Sequence, residues 1–331
     1  MHALVLGKFM PLHRGHLALI DFALEHCDRL TVLLCVEATE PISGEDRERW
    51  LRSTYANHPK ISLQRFDFLD ADLPATSESS RQISALWAAQ LQELVPTAQR
   101  IIGSEAYVQY VAEYWGIDYR IFDVNRQQVK ISATEIRAKP YQHRAFLAPA
   151  AQPDFVQRIV LHGTESTGKS TLATHLADRY GTSFVPEMAR DIVAHTDTVV
   201  YEDLFLIADR QAAAIQAAVS EADGVLFIDT DIFTTLAYAR YLFKRELPLR
   251  AEWLAAAKQQ HCLFTRADAP YVQDGTRLQP GERKVLENFH WQARLESGVP
   301  TTEIVGREWA ERTSFAEAVV AQVLLQEKHE S

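Results

Sequence analysis

Apolar runs of strand length alternate with helix-period segments along the whole chain, and that alternation commits it to βαβ units around parallel sheets. Parallel neighbours need a crossover between them, and a helix after each strand supplies it. Strands are expected near residues 3–9, 30–36, 61–66, 99–102 and 119–122, with helices near 15–26, 44–57, 79–95, 105–115 and from about 132. Leu147-Ala-Pro-Ala-Ala-Gln-Pro153 carries two prolines and no periodicity, so 148–154 reads as a linker. The alternation then restarts, with strands near 156–162, 183–185, 225–229, 261–264 and 301–305 and helices near 169–180, 188–195, 201–222, 231–243 and 313–327. The 331 residues thus make an α/β protein of two doubly wound parallel-sheet domains, 1–147 and 155–331, with no internal repeat.

Between the first strand and first helix of the second domain lies Gly163-Thr164-Glu165-Ser166-Thr167-Gly168-Lys169-Ser170, followed by Thr171, which satisfies GxxxxGK[ST] at every fixed position. Glycines let the backbone curl so that successive N–H groups point at phosphate oxygens, and the helix N-terminus adds its positive end. Lys169 would bridge the β- and γ-phosphates of ATP, and Ser170 would hold Mg²⁺. Val225-Leu-Phe-Ile-Asp229 has the shape of a buried strand delivering a carboxylate beside that loop, which makes Asp229 the second metal candidate. Asp231 either joins the site or caps the helix that begins there. Glu187 and Arg190 stand three apart where P-loop kinases of small hydroxylated substrates line the acceptor pocket; the alternative is a surface ion pair. From Thr265 to Lys284 no periodicity is evident, and Arg266, Asp274, Arg277, Arg283 and Lys284 gather there, which suggests a closing lid or a solvated loop.

The N-terminal domain carries a second signal, Gly7-Lys8-Phe9-Met-Pro-Leu-His13-Arg-Gly15-His16. A strand precedes it and a helix follows, which places both imidazoles beside a helix N-terminus, where an anion is favoured. Ile131-Ser132-Ala-Thr134-Glu135-Ile-Arg137 has capping-box spacing and marks another helix start, at which Ser132, Thr134 and Arg137 could meet phosphate.

Composition closes off several classes. Residues 1–152 hold 16 Lys+Arg against 18 Asp+Glu, and the rest 18 against 26, so neither half has the basic balance of a domain held to nucleic acid by phosphate contacts. No apolar run approaches the ~18 residues of a membrane span. The N-terminus lacks a basic n-region, and Cys27, Cys35 and Cys262 form no CxxC; a reducing, cytoplasmic setting follows. A homo-oligomer is compatible with all of this.

His-x-Gly-His followed some 120 residues later by Ile-Ser-Ala-Thr-Glu-Ile-Arg resembles the nucleotidyltransferase superfamily, and the longer strings at 7–16 and 123–137 resemble its nicotinamide-nucleotide adenylyltransferase branch. Joined to a C-terminal P-loop kinase, the chain resembles, over essentially its full length, the NadR-type bifunctional nicotinamide-mononucleotide adenylyltransferases/ribosylnicotinamide kinases. The resemblance implies a Rossmann-like nucleotidyltransferase followed by a P-loop NTPase-fold kinase, with ATP, nicotinamide mononucleotide and nicotinamide riboside as small-molecule substrates. It implies ATP contacts from Gly7, Lys8, Phe9, His13, His16, Ser132, Thr134 and Arg137, with His16 at the transition state. Glu187 or Asp229 would be the kinase base, Trp87 or Trp115 would stack on nicotinamide, and 305–309 would line adenine. Lys130 departs from the Pro that many relatives place before Ile-Ser. Some members begin with a DNA-binding helix-turn-helix; with a strand expected from residue 3, no repressor role is expected here. Two rivals remain: an adenylyltransferase/kinase pair for a different acceptor, and a sensor of NAD or ATP that acts through a partner.

Overall fold

The computed structural model describes every residue except 70, 72, 75–79, 124, 126, 194–198, 268–279, 307 and 327–331. It divides into two compact units, Met1–Gln152 and Pro153–Gln326. The division falls inside the expected linker, whose first residues belong to the first unit: Ala148 and Ala151 are buried, and the Ala148 N–H donates to the Leu12 carbonyl at 3.0 Å.

The first unit runs β1 (His2–Gly7), α1 (Arg14–Glu25), β2 (Arg29–Glu37), α2 (Gly44–Tyr55), β3 (Ile61–Phe68), α3 (Arg81–Leu94), β4 (Arg100–Gly103), α4 (Tyr107–Trp115), β5 (Asp118–Ile121) and α5 (Ala133–Ala138). Its sheet is parallel throughout, in the order β3-β2-β1-β4-β5. The central β1 buries Ala3, Leu4 and Val5 completely, as a strand covered on both faces must. From β1 the chain crosses toward β2, and from β4 toward β5. The strand order therefore reverses between β1 and β4, and a crevice opens beyond their C-terminal ends. The first strand ends at Gly7 rather than near residue 9: Phe9 takes a left-handed φ of 47°, which turns the chain out of the sheet.

The second unit continues with β6 (Gln157–His162), α6 (Lys169–Tyr180), β7 (Phe184–Val185), α7 (Asp203–Val219), β8 (Val225–Asp229), α8 (Ile232–Phe243), α9 (Ala251–Ala256), β9 (His261–Thr265), α10 (Pro280–Glu296), β10 (Thr301–Ile304) and α11 (Trp309–Leu325). Its parallel sheet has the order β10-β9-β6-β8-β7, with the reversal between β6 and β9. All ten expected strands form. The expected helix at 188–195 is only a 3₁₀ turn, Met188–Asp191, among the described residues. Helices α9 and α10 were not foreseen, and α11 starts at Trp309 rather than 313. In α10 the buried face is Arg283, Leu286, His290, Ala293 and Arg294. That spacing is helical, but three of the five are polar, so hydrophobic periodicity could not report it.

Candidate active sites

The crevice of the first unit is built around the loop from Lys8 to His13. His13 caps α1, and its Nδ1 accepts the Gly15 N–H at 3.0 Å. The His13 ring lies so close over residue 15 that a Cβ there would stand 2.8 Å from Cε1, so only glycine fits between the two histidines. The His13 and His16 rings face each other with centroids 3.9 Å apart, and Phe9 meets His16 edge-on at 5.0 Å. Burial first, and the neighbouring His13 second, hold His16 well below the ordinary imidazole pKa, so it is neutral at pH 7. Its buried Nδ1 has no hydrogen-bond partner among the described residues.

The second phosphate motif of this unit folds back onto the first. Ser132 caps α5 in a full capping box with Glu135: the Glu135 N–H donates to Ser132 Oγ at 3.1 Å, and the Ser132 N–H to Glu135 Oε2 at 2.7 Å. Arg137 Nη1 donates to the Met10 carbonyl at 2.5 Å, and its Nη2 to Thr134 Oγ1 at 3.3 Å. His13 also bridges to Leu147. Residues 127 positions apart thus meet at one loop. Lys8 pairs with Glu40 at 2.8 Å, and Glu40 is held in turn by the fully buried Arg47 at 2.7 Å; sequence reading missed both partners.

Trp87 is 2% exposed in the core, edge-on to Phe66 and Phe68, with its indole N–H on the Pro74 carbonyl at 2.8 Å. Packed this way it offers no free face for stacking, which corrects that expectation. Trp115 is half-buried against the same cluster.

In the second unit the phosphate loop opens a pocket of about 520 Å³ at the C-terminal end of β6. Gly163 (φ 140°) is required twice over, since a Cβ there would also overlap the Thr265 carbonyl. Lys169 Nζ donates to the Thr164 carbonyl at 2.8 Å, and Ser170 Oγ to Asp229 Oδ2 at 2.5 Å. Asp229 is 1% exposed; burial pushes its pKa up, and Lys169 pulls it back down. Its Oδ1 has no hydrogen-bond partner among the described residues. Glu187 and Arg190 do form an ion pair, at 3.1 Å, and it sits at the pocket wall: Arg190 Nη2 donates to Ser170 Oγ at 2.6 Å and lies 3.9 Å from Asp229 Oδ2. Thr164 is fully buried, while Glu165, Ser166, Thr167, Gly168 and Thr171 line the pocket.

Of the basic residues expected in a lid, the two with described partners are held by other parts of the unit. Arg266 is held by Glu303 at 2.7 Å and Glu287 at 3.4 Å, with its guanidinium over Trp291. Arg283 is buried in the first turn of α10, against the back of the phosphate loop. Asp274 and Arg277 lie outside the described residues. Asp231 is a cap and not a pocket residue. It accepts the Phe233 N–H at 3.0 Å and pairs with Arg294 at 3.0 Å, both side chains fully buried. Burial alone would raise its pKa; the Arg294 charge overrides that and holds the carboxyl below the usual range.

Residues that the motifs did not reveal complete the pocket: Gln211, Thr230, Thr234, Thr235 and Tyr238. Gln211 Nε2 donates to the Thr230 carbonyl at 3.1 Å, and its Oε1 accepts the Met188 N–H at 2.9 Å, tying the Glu187 segment to the end of β8. Thr230 has a φ of 71°, rare for a β-branched residue, directly after Asp229. Burial, then Glu187 and Glu165, keep Tyr238 protonated far above neutrality. Trp309, 42% exposed, lies against Gly168, 3.1 Å from where its Cβ would be.

Comparison with known proteins matches these two units separately. Residues 4–139 match the Cytidylyltransferase-like family, and residues 158–312 an AAA domain. The chain is 28% identical to the trifunctional NAD biosynthesis/regulator protein NadR of Salmonella typhimurium over 314 residues, 89% of this chain and 76% of that protein. It is 27% identical to the NadR of Escherichia coli K12, over 93% of this chain and 80% of that one. Two crystal structures superpose over all of this chain and 98% of theirs. They are a NadR protein in complex with NR (TM-score 0.76, 21% identity) and one with NAD and AMP-PNP (TM-score 0.77, 20% identity). At that identity the superpositions establish the shared two-unit fold.

Proposed function

We infer that this chain, a NadR homologue over most of its length, is a bifunctional enzyme of NAD biosynthesis. Its second unit phosphorylates nicotinamide riboside with ATP, and its first unit joins the resulting mononucleotide to ATP, giving NAD and pyrophosphate. The observation that carries the reading is the presence, in one chain, of two loops with phosphate-binding motifs, each after the central strand of its parallel sheet, where the order reverses.

The two reactions need different help. In adenylyl transfer the nucleophile is a phosphate oxygen, already anionic at pH 7, so no base is required and catalysis rests on position and charge. His16, neutral and beside the α1 N-terminus, donates to the phosphates; His13, fixed by its bond to the Gly15 N–H, sets the ring against which His16 stands. Arg137 locks the loop through Met10. Lys8, Ser132 and Thr134 complete the phosphate contacts.

In the kinase the acceptor is a neutral hydroxyl, and a base is useful. Glu187, at the pocket wall and held by Arg190, suits that role, while Arg190 reaches toward the loop where the γ-phosphate would lie. Asp229 and Ser170 fit Mg²⁺: two hard oxygens in contact, one with a buried oxygen that no described residue satisfies. Bound there, the ion would supply positive charge to the phosphates of ATP. Trp309, which lies against Gly168, would cover the adenine. The three cysteines are all free thiols, in keeping with a cytoplasmic enzyme.

Turnover with ATP and a panel of acceptors tests the assignment. Nicotinamide riboside should be phosphorylated and nicotinamide mononucleotide adenylylated in clear preference to other nucleosides and nucleotides. Preference for another acceptor would support a different enzyme pair, and binding without turnover a sensor.

A further inference from the structure

Four consecutive carbonyls of the phosphate loop are each taken by a side chain. The Thr164 carbonyl accepts from Lys169 Nζ at 2.8 Å and Thr167 Oγ1 at 2.9 Å. The Glu165 carbonyl accepts from Arg283 Nε at 3.0 Å, and the Ser166 carbonyl from Arg283 Nη2 at 3.1 Å. The Thr167 carbonyl accepts from Arg312 Nη2 at 3.2 Å. Arg283 comes from α10 and Arg312 from α11, both at most 3% exposed, so both guanidiniums are fixed in place. They are rigid forks, and Arg283 uses its fork to span two adjacent peptides.

A trans peptide is planar, and its C=O and the following N–H point in opposite directions. Holding the carbonyls of Glu165, Ser166 and Thr167 on one side therefore turns the N–H groups of Ser166, Thr167 and Gly168 to the other. Those same residues line the pocket. Left to itself, such a loop is under no local obligation to keep this orientation: Ser166 sits at φ 58°, a conformation a non-glycine residue adopts only when its surroundings impose it.

We propose that Arg283 and Arg312 are positioning residues of the kinase, which clamp the outer carbonyls of the phosphate loop so that its amides face the nucleotide. They touch the loop from behind and act on phosphate through it. The proposal rests on reading 163–170 as an ATP site.

The test uses the full chain carrying Arg283→Met, Arg283→Lys or Arg312→Lys. Binding of a fluorescent ADP analogue is measured in each. The part of the signal that Lys169→Ala removes defines the second unit's site. Steady-state riboside phosphorylation then gives KM for ATP, KM for riboside and kcat separately. Arg283→Met should weaken ADP binding and raise KM for ATP by about ten- to hundredfold, the range for losing hydrogen bonds from a charged donor. KM for riboside should stay within about twofold, and Arg283→Lys should recover part of the loss because an ammonium can still hold one carbonyl. Arg312→Lys should show the same split more weakly. An unchanged KM for ATP overturns the proposal. So does a parallel rise in both KM values with a lowered unfolding temperature in all three variants, which is what mere packing would give. A fall in kcat alone overturns it too, since that places Arg283 on the transferring phosphoryl group. If Lys169→Ala removes no ADP binding, the reading of the loop itself has failed, which is a separately recognisable result.

Discussion

In the first unit, the loop after the central strand presents side chains, two imidazoles 3.9 Å apart at the start of α1. In the second, the loop after the central strand presents backbone, with Gly163, Ser166 and Gly168 all at positive φ. The sheets differ in order, with β2 beside β1 in the first but β8, not β7, beside β6 in the second, yet each loop follows the central strand of its sheet. The difference lies in what must be held. An imidazole pair is oriented locally: His13 by a bond to Gly15 two residues on, and His16 by the helix it sits on. A curled backbone has to be held from outside, and its supports come from 117 to 145 residues away, on α10 and α11. The imidazole pair is therefore set within its own motif, with Arg137 tying the neighbouring loop from 127 positions away, whereas the backbone site is complete only in the fold.

Lys169→Ala should break the comparison most sharply. Riboside phosphorylation should fall by about 10³-fold, the upper end for removing one preorganised donor, while adenylyl transfer stays within about twofold. Separate assays of the two activities on one preparation check this. Equal loss of both would mean that the sites are not independent.

His16→Ala should do the reverse at a smaller scale, with a loss of about 10²-fold in adenylyl transfer and kinase activity retained. Normal NAD formation from the mononucleotide would remove His16 from the site.

Gly15→Ala sharpens the claim that the histidine pair is set locally. Its Cβ meets the His13 ring at 2.8 Å, so the ring must shift by a few tenths of an ångström. Adenylyl transfer should fall about tenfold, short of the hundredfold that a full ångström of misplacement can bring. Unaltered kcat would show that the His13 position is not critical.

The smallest effect concerns a histidine that only supports. His162, directly before the phosphate loop, is fully buried and faces His290 at 3.1 Å, Thr234 at 3.2 Å and Asp231 at 3.6 Å, with Arg294 and Lys169 close by. Burial, the largest cause, lowers its pKa to about 4. The unfolded chain thus binds a proton that the folded one refuses, so this contribution to stability is complete above about pH 6.5 and is lost as pH falls toward about 4. The unfolding temperature should drop over that window, and His162→Gln should shallow the drop. A slope unchanged by the substitution would assign it to other groups.

These contrasts explain what could be read beforehand. The central strands β1, β2, β6, β8 and β9 announced themselves because buried parallel strands are continuous apolar runs, and both phosphate motifs are contiguous; the outer β3, β5 and β10 are partly exposed and less apolar. Helix α10 stayed hidden because Arg283, His290 and Arg294 occupy its buried face, and with it went the supports of the phosphate loop. Asp231 and Asp229 are two residues apart and look alike in sequence; only Arg294, 63 positions on, makes one of them a structural partner. Arg266 looked free until Glu303 and Glu287 were beside it. Trp87 looked available for stacking until its indole was found bonded to Pro74. In each case the deciding partner is distant in sequence, and pattern reading sees only neighbours.

The central claim is that the two sites perform consecutive and chemically distinct transfers, and product stoichiometry tests it most directly. Supplied with nicotinamide riboside and excess ATP, the full chain should release one ADP and one pyrophosphate for each NAD formed, with the mononucleotide appearing first. Supplied with the mononucleotide, it should release pyrophosphate and no ADP. NAD formed from riboside without ADP, or ADP released with the mononucleotide as the sole acceptor, would contradict the account.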